Sequence, residues 1–206
     1  MDNLHSQYGE DQWIVDHLLL PQKGVFVEIG GSDGVANSNT LFFERKGWTG
    51  LVVEPNPASY KDLRNNRRCA TELCAIGSDP KRRFFLCDDP SLSGFDRTGV
   101  EIAVAIKRLD TVLTEHAIAK IDLLSLDTEG TELDVWRTFD HKKWRPQVVI
   151  IEWDTIGLPS KELAIMEFFY RLPYRMVHRT GGNLIFERLP VRMPDVLLQP
   201  SRWRLR

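Results

Sequence analysis

Apolar residues along this chain follow two alternating patterns, short unbroken runs and stretches in which they recur at helical spacing. The unbroken runs lack polar alternation, which is typical of parallel strands covered on both faces. Four such strands are predicted, over residues 25–29, 50–54, 121–126 and 147–152. Helices are predicted over residues 9–20, 37–46, 56–66, 110–116, 131–139 and 161–171. This alternation predicts an α/β fold with a doubly wound, mostly parallel sheet.

Shorter elements are predicted in the middle of the chain. We expect residues 71–76 to form a strand, and residues 83–87 and 101–107 to form a β-pair, because apolar residues alternate in the second member of the pair. Between the two members lies a polar loop, residues 88–94. Loops of this kind often cover a site.

The sequence pattern at the C-terminal end predicts an antiparallel hairpin followed by an irregular extension. The hairpin strands are residues 174–179 and 183–188, joined by a turn at residues 180–182 that contains two glycines. A length of 206 residues suits one domain with a sizeable core and is too short for two full domains. We therefore expect a single domain over residues 1–189 and an irregular C-terminal extension over residues 190–206.

The amino-acid composition limits the kinds of molecule that the protein is expected to bind. Lys and Arg number 27 against 29 Asp and Glu, so the net charge of -2 offers no long-range attraction for nucleic acid or an anionic membrane. Cys69, Cys74 and Cys87 contain no C-x-x-C pair, which favours buried thiols in a reducing compartment over zinc ligands. No apolar run approaches the roughly 20 residues of a membrane helix. We expect a soluble, cytoplasmic protein that binds neither nucleic acid nor membrane.

The first strand runs into a glycine loop that carries the most chemical information. Gly30, Gly31 and Gly34 allow a sharp turn and close approach to a ligand. Glu54 ends the second strand, 24 residues past Gly30, where an acid can accept hydrogen bonds from a ribose diol.

The loop departs from the full G-x-G-x-x-G pattern of dinucleotide enzymes. Position 32 is Ser and position 35 is Val. This departure weakens the prediction that NAD is the ligand and favours a related adenosine cofactor. Glu54 has a structural alternative, since an acid near the start of the next helix is stabilising in itself.

Ligands of doubly wound sheets bind beyond the carboxyl ends of the strands, so the residues that follow each strand are the site candidates. They are residues 30–34, 54–56, 75–77, 127–130 and 152–154. Burying a carboxylate costs free energy unless the group has a partner. A functional role would explain why the carboxyl ends of these strands carry so many acids. The acids are Glu28, Glu54, Asp127, Glu129 and Glu152.

Five motifs in order resemble the FkbM-type S-adenosylmethionine-dependent methyltransferases. They are S-Q-Y-G-E-D at 6–11, F-V-E-I-G-G-S-D-G at 26–34, V-V-E-P-N-P at 52–57, L-D-T-V-L at 109–113 and L-D-T-E-G-T-E at 126–132. The resemblance covers roughly residues 6–188. Glu28 stands where the family more often has Asp, and Gly31 where it often has Ala. The resemblance implies a Rossmann-like, class I methyltransferase fold and O-methylation of a sugar, glycan or natural-product hydroxyl.

With S-adenosylmethionine as the cofactor, each part of the molecule has an expected partner. Backbone N–H groups of residues 30–34 suit the methionine carboxylate, and Glu28 suits water or the amino group. Glu54 suits the ribose, and an apolar slot suits the adenine. Gln7 and Asp11 complete the methionine end if the N-terminal segment folds over it. The expected cofactor-binding residues are Gln7, Glu28, Gly30, Gly31, Ser32, Asp33, Glu54, Pro55, Asn56, Ala75, Ile76 and Asp127.

A hydroxyl acceptor must lose its proton, which requires a positioned base or a metal ion. Asp127, Glu129 and Glu152 are the candidate bases, and a divalent ion held between them is the alternative. We favour the metal-free version, because no D-D or H-x-H cluster supports an ion. Asp127 and Glu129 have a structural alternative as capping acids of the following helix. His178 is the rival base.

Two other function classes stay open. A NAD-linked or nucleotide-sugar-linked oxidoreductase would need a third glycine in phase and usually a Tyr-x-x-x-Lys pair, and neither Tyr60 nor Tyr170 has Lys four residues later. A catalytically silent module would keep the cofactor pocket without transferring a methyl group. The acceptor and the oligomeric state are not predicted by the sequence.

Overall fold

A computed structural model describes residues 5–89, 92–95, 97–155 and 160–190. Its helices are α1 Glu10–His17, α2 Leu41–Arg45, α3 Pro57–Asn66, α4 Leu109–Glu115, α5 Glu132–Trp136, α6 His141–Trp144 and α7 Glu162–Tyr170. Its strands are β1 Val25–Ile29, β2 Thr49–Val53, β3 Ala70–Glu72, β4 Ala75–Ile76, β5 Phe84–Leu86, β6 Gly94–Phe95, β7 Val100–Ile102, β8 Ile106–Lys107, β9 Leu123–Leu126, β10 Val148–Glu152, β11 Tyr174–Arg179 and β12 Asn183–Arg188. The predicted extension lies outside these residues apart from Pro190.

A seven-stranded sheet in the order β11-β12-β10-β9-β1-β2-β3 forms the centre of the fold. Strands β3, β2, β1, β9 and β10 are parallel, and β12 lies antiparallel to both β10 and β11. The chain therefore moves outward from β1 to β3 and returns to β9 on the other side of β1. This reversal opens a crevice beyond the carboxyl ends of β1 and β9. The predicted doubly wound sheet with a C-terminal hairpin is confirmed.

Two apolar layers cover the sheet, which explains the unbroken apolar runs. In β1, Val27 and Ile29 belong to one buried cluster, whereas Phe26 belongs to the cluster on the opposite face. Apolar side chains are thus required at successive positions. None of the helices within the described ranges is both long and apolar enough to cross a lipid bilayer.

Small strands beside the crevice correct part of the prediction. The strand expected over residues 71–76 is divided into β3 and β4, and β4 pairs in parallel with β8. The β-pair is confirmed where β5 lies antiparallel to β7, but β8 leaves it. The polar loop ends in β6, because the Phe95 ring packs edge-on against Phe84 with 5.6 Å between centroids.

A buried ion pair shortens the helix expected over residues 37–46. Glu28, 3% exposed in β1, accepts hydrogen bonds from Ser38 Oγ, Asn39 N and Thr40 Oγ1. Arg67 Nη1 lies 3.2 Å from Glu28 Oε2. Because a buried carboxylate needs partners, it holds residues 38–40 outside the helix and along the crevice. The helix begins only at Leu41.

Candidate active site

The crevice is a cavity of about 290 Å³, at the lower end of the range for small-molecule sites. Its walls come from the carboxyl ends of β1, β2, β9 and β10 and from the segments that contain Gln7, residues 36–39 and Gly182. The predicted residues that line it are Gln7, Glu28, Gly30, Gly31, Ser32, Glu54, Pro55, Ala75, Ile76, Asp127, Glu129 and Glu152.

The glycine loop joins the ends of β1 and β9. Gly30 has φ 87°, and a Cβ atom there would lie 1.7 Å from the Asp127 carbonyl oxygen. Any other residue would have to displace the backbone of the neighbouring loop. The Gly30 and Gly31 N–H groups both donate to the Val53 carbonyl, and the Gly34 N–H donates to the Gly31 carbonyl. These N–H groups are thus engaged inside the protein, so the expected contact with a methionine carboxylate gains no support from them.

Glu54 is held rigidly at the end of β2. Its Oε2 accepts from Ser32 N and its Oε1 from Asn56 N, each at 2.8 Å. Burial raises the pKa of Glu54 to about 7, against the lowering effect of these two hydrogen bonds. Each oxygen keeps a second lone pair for a ligand hydroxyl. The structural alternative for Glu54 stays open: Asn56 Oδ1 caps α3 by accepting from Ala58 N, and Glu54 itself accepts from the N–H group of this cap residue.

An apolar slot adjoins Glu54. Pro55, Ala75 and Ile76 line it as expected, and Leu92 lies where the polar loop was predicted to contribute. Sequence reasoning missed Phe84 and Phe95, which line the same cavity from β5 and β6. The sequence shows that both residues are apolar. It does not show that β5 and β6, two short strands separated along the chain, lie side by side.

The N-terminal segment also contributes to the cavity wall through Gln7 and Tyr8. Asp11 does not line the cavity but accepts from Ser6 Oγ and His5 N, which fixes the segment that carries Gln7. Asp33 also lies outside, with its carboxylate bound to Val35 N and Ala36 N. Sequence reasoning assigned no role to several residues that line this part of the cavity, namely Tyr8, Asn37, Ser38, Asn39 and Asn183.

Three carboxyl groups meet where β9 and β10 end. Asp127, Glu129 and Glu152 each offer an oxygen, and these oxygens all lie within 4.8 Å of one another. Glu129 reaches the group because its backbone is left-handed, with φ 56°. A divalent cation with oxygen ligands fits such a set. In its absence, like charges this close favour protonation.

Burial raises the pKa of all three groups, and repulsion by neighbouring acids adds to this effect. The pKa of Asp127 is raised by burial and then by Glu129, and that of Glu152 is raised to about 10 by burial and then by Asp127. Asp127 and Glu152 therefore retain at least one proton between them at neutral pH. Burial raises the pKa of Glu129 to about 7, although Arg97 Nη2, 3.0 Å from Glu129 Oε2, lowers it.

Glu132 supports this arrangement from the first turn of α5. Its buried Oε1 accepts from Gly130 N at 2.7 Å and Thr128 N at 3.1 Å. These bonds hold the turn that brings Glu129 back towards Asp127. Glu132 is the last residue of the motif L-D-T-E-G-T-E, two positions after Gly130. An acid at this place in the motif was the sequence signal for its role.

His178 lies outside the cavity. Its ring stacks on Trp13 with 4.4 Å between centroids, and His17 stacks 4.6 Å from the same ring. The structure thus does not bring His178 to the carboxyl group cluster. The Trp153 ring also does not line the cavity; the Arg179 guanidinium lies over it, 4.2 Å from its centroid.

Comparisons with known proteins identify the family of this chain. The Methyltransferase FkbM domain family matches residues 28–176. Methyltransferase sdnD of Sordaria araneosa is 33% identical over 78 residues, which cover 33% of this chain and 30% of that protein. The chain thus matches less than a third of the length of this curated relative.

Solved structures show the same fold at low identity. A Streptococcus agalactiae protein of the NADB-Rossmann superfamily has a TM-score of 0.54 at 10% identity, covering 94% of this chain and 72% of that chain. The fibrillarin/Nop5p complex has a TM-score of 0.51 at 12% identity, covering 89% of this chain and 81% of that chain. The predicted Rossmann-like fold is confirmed.

The raised pKa of Glu152 predicts a pH-dependent stability. Its pKa is about 10 in the folded protein and ordinarily 4.5, so its contribution to stability is complete below pH 4.5 and is lost as pH rises towards 10. Replacement by Gln removes this titration and keeps a polar partner for Thr155. We expect thermal unfolding midpoints from about pH 5 to about pH 9 to fall less in Glu152→Gln than in the wild type.

The matched control is Glu167→Gln, which changes an exposed acid on α7. Its midpoints should follow those of the wild type. Parallel pH profiles for the wild type and Glu152→Gln would contradict the assigned protonation.

Proposed function

We propose that this chain, which belongs to the FkbM methyltransferase family, transfers a methyl group from S-adenosylmethionine to a hydroxyl of a sugar, glycan or natural-product small molecule. The observation that carries the proposal is the position of three crowded carboxyl groups in the same cavity as Glu54. One end of the cavity suits an adenosine, and the other end suits removal of a proton.

The residues present fit the cofactor. Glu54 offers a fixed carboxyl group for the ribose hydroxyls, and the slot around Ala75 and Ile76 offers apolar walls for the adenine. Asn39 lines the cavity, is 4% exposed and has an Oδ1 atom without a hydrogen-bond partner among the described residues. A buried acceptor of this kind suits the amino group of the methionine end.

S-adenosylmethionine, when bound, supplies a methyl group activated by a sulfonium. The cavity residues must then align the acceptor oxygen for an in-line displacement and accept its proton. Glu129 is the residue best suited to this proton transfer, because a pKa of about 7 combines partial ionisation at neutral pH with useful basicity. Asp127 and Glu152 share a proton beside it and limit the negative charge of the cluster.

The metal-free version is kept in this proposal, because the sequence contains no D-D or H-x-H cluster that would support an ion. The alternative nevertheless uses the same oxygens. A direct test by chelation is therefore needed.

A cytoplasmic location is part of the proposal. Cys69, Cys74 and Cys87 are free thiols, and burial raises the pKa of Cys69 and of Cys74 to about 12. Thiols of this kind are typical of proteins kept in a reducing compartment.

Glu54→Ala should weaken binding of S-adenosylhomocysteine by about 1 to 3 kcal/mol, because ribose hydroxyls lose their carboxyl acceptor. Titration calorimetry with the wild type, Glu54→Ala and the exposed-acid control Glu167→Ala measures this change. The wild type should give no response to NAD. Tight NAD binding without a response to S-adenosylhomocysteine would contradict the proposal.

Replacement of the catalytic base by its amide should lower turnover by roughly 10² to 10⁴ while S-adenosylhomocysteine affinity stays within a few-fold. Variants Asp127→Asn, Glu129→Gln and Glu152→Gln are compared after a screen with labelled S-adenosylmethionine has identified an acceptor. We expect the largest loss in Glu129→Gln and a wild-type rate that falls as pH drops below about 7.

His178→Gln serves as the control and should keep full activity, because His178 does not line the cavity. Loss of activity in His178→Gln alone, with full activity in the three amide variants, would place the base on the hairpin.

Wild-type activity should survive EDTA, since the proposed base requires no ion. The measurement is the transfer rate before and after chelation, followed by addition of Mg²⁺. A rate that vanishes with EDTA and returns with Mg²⁺ would make Asp127, Glu129 and Glu152 metal ligands instead.

A further inference from the structure

The cavity is lined by acids without any facing cation. Among the described residues, six carboxyl groups line it and no Lys, Arg or His side chain does; the acids are Glu28, Glu54, Asp127, Glu129, Glu152 and Asp154. Two of these acids form ion pairs with arginines that do not line the cavity. Glu28 pairs with Arg67, and Glu129 pairs with Arg97. The other four have no ion-pair partner in the described part of the chain.

This imbalance has an electrostatic consequence. Neighbouring acids, in addition to burial, raise the pKa of Asp127 and of Glu152, so this part of the cavity already resists its own negative charge, whereas burial alone raises the pKa of Glu54. A further anion would be desolvated and repelled there, whereas an uncharged or cationic molecule would not. The Arg179 guanidinium interacts with the charge of Asp154, but it is paired with Glu162 at 2.6 Å and does not line the cavity.

The end of the cavity formed by β10 and β12 offers hydrogen-bond acceptors. Asn183 is 4% exposed, lies opposite Glu152 in the sheet and lines the cavity. Its Nδ2 donates to Glu10 Oε1 at 2.8 Å. Because a carboxylate only accepts, the amide oxygen must be the other atom, and this buried Oδ1 has no hydrogen-bond partner among the described residues.

An aromatic ring completes this end of the cavity. Cβ atoms built on Gly181 and Gly182 would lie 2.7 Å and 2.8 Å from the Tyr8 ring, so the ring packs directly on this turn. Tyr8 is 48% exposed and lines the cavity. Aromatic faces suit the apolar side of a ring-shaped ligand.

We propose that the acceptor is an uncharged or cationic molecule rich in hydrogen-bond donors, which binds between Tyr8, Asn183 and Asp154. The charge of the cavity disfavours acceptors that carry a carboxylate, a phosphate or a nucleotide diphosphate. This inference rests on the proposed methyl transfer and specifies the charge class of its substrate.

The test compares acceptors that share one ring and differ in charge. The probes are the methyl glycosides of glucose and galactose, their 2-amino derivatives, their 6-carboxylates, their 6-phosphates and the nucleotide diphosphate forms of the same sugars. Transfer from labelled S-adenosylmethionine is measured in EDTA and again with Mg²⁺. We expect kcat/KM for uncharged or amino members to exceed that of their anionic counterparts on the order of 10²-fold.

Asp154→Asn should reduce this discrimination, because it removes an acid at the proposed acceptor end. The matched control is Asp62→Asn, which changes the net charge equally on exposed α3 and should leave the ratio unchanged. Methylation of carboxylate or phosphate members as efficiently as the uncharged members, in either buffer, would overturn the inference.

The two possible failures are distinguishable. Efficient methylation of anionic members would overturn the charge preference and leave methyl transfer intact. A wild type that does not bind S-adenosylhomocysteine in a parallel calorimetric titration would overturn the proposed function, and the inference with it.

Discussion

The contact between Gly30 and the Asp127 carbonyl is the constraint on which the site depends. Strands β1 and β9 are neighbours, with Ile29 opposite Leu126, so the loops that follow them leave the sheet side by side. A side chain at position 30 would collide with the Asp127 backbone. Without one, the glycine loop and the carboxyl groups share a single wall of the cavity, as the proposed function requires.

Crowding of carboxyl groups is the main electrostatic cost of this design. Asp127, Glu129 and Glu152 repel one another, and the repulsion is relieved by retained protons and by Arg97. Glu132 holds the left-handed turn that keeps Glu129 in the cluster. Sites that raise carboxyl pKa values in this way are typical of proton-transfer chemistry. The same negative charge is the basis for the inferred preference among acceptors.

The sequence predicted the features that depend on local pattern. Strands β1, β2, β9 and β10 and the hairpin follow from apolar runs, and Glu54 follows from its distance to the glycine loop. Strands of two residues carry no periodicity, so β4 was predicted as part of one longer strand over residues 71–76 and β6 was not predicted. The cavity contacts of Asn183 and Phe95 depend on packing between distant segments, and the shortened α2 depends on the side-chain bonds of Glu28. Neither these cavity contacts nor the shortened helix can be predicted from the local sequence pattern.

Carbon-13 NMR titration of the Asp and Glu carboxyl groups in the free protein, with Asp127→Asn, Glu129→Gln and Glu152→Gln for assignment, tests the central claim most directly. The account predicts that Glu152 stays protonated through neutral pH and titrates near 10, whereas Glu129 titrates near 7. If all three carboxyl groups titrated near their ordinary values of about 4, the crowded, proton-sharing cluster would be contradicted, and with it the assignment of Glu129 as the base.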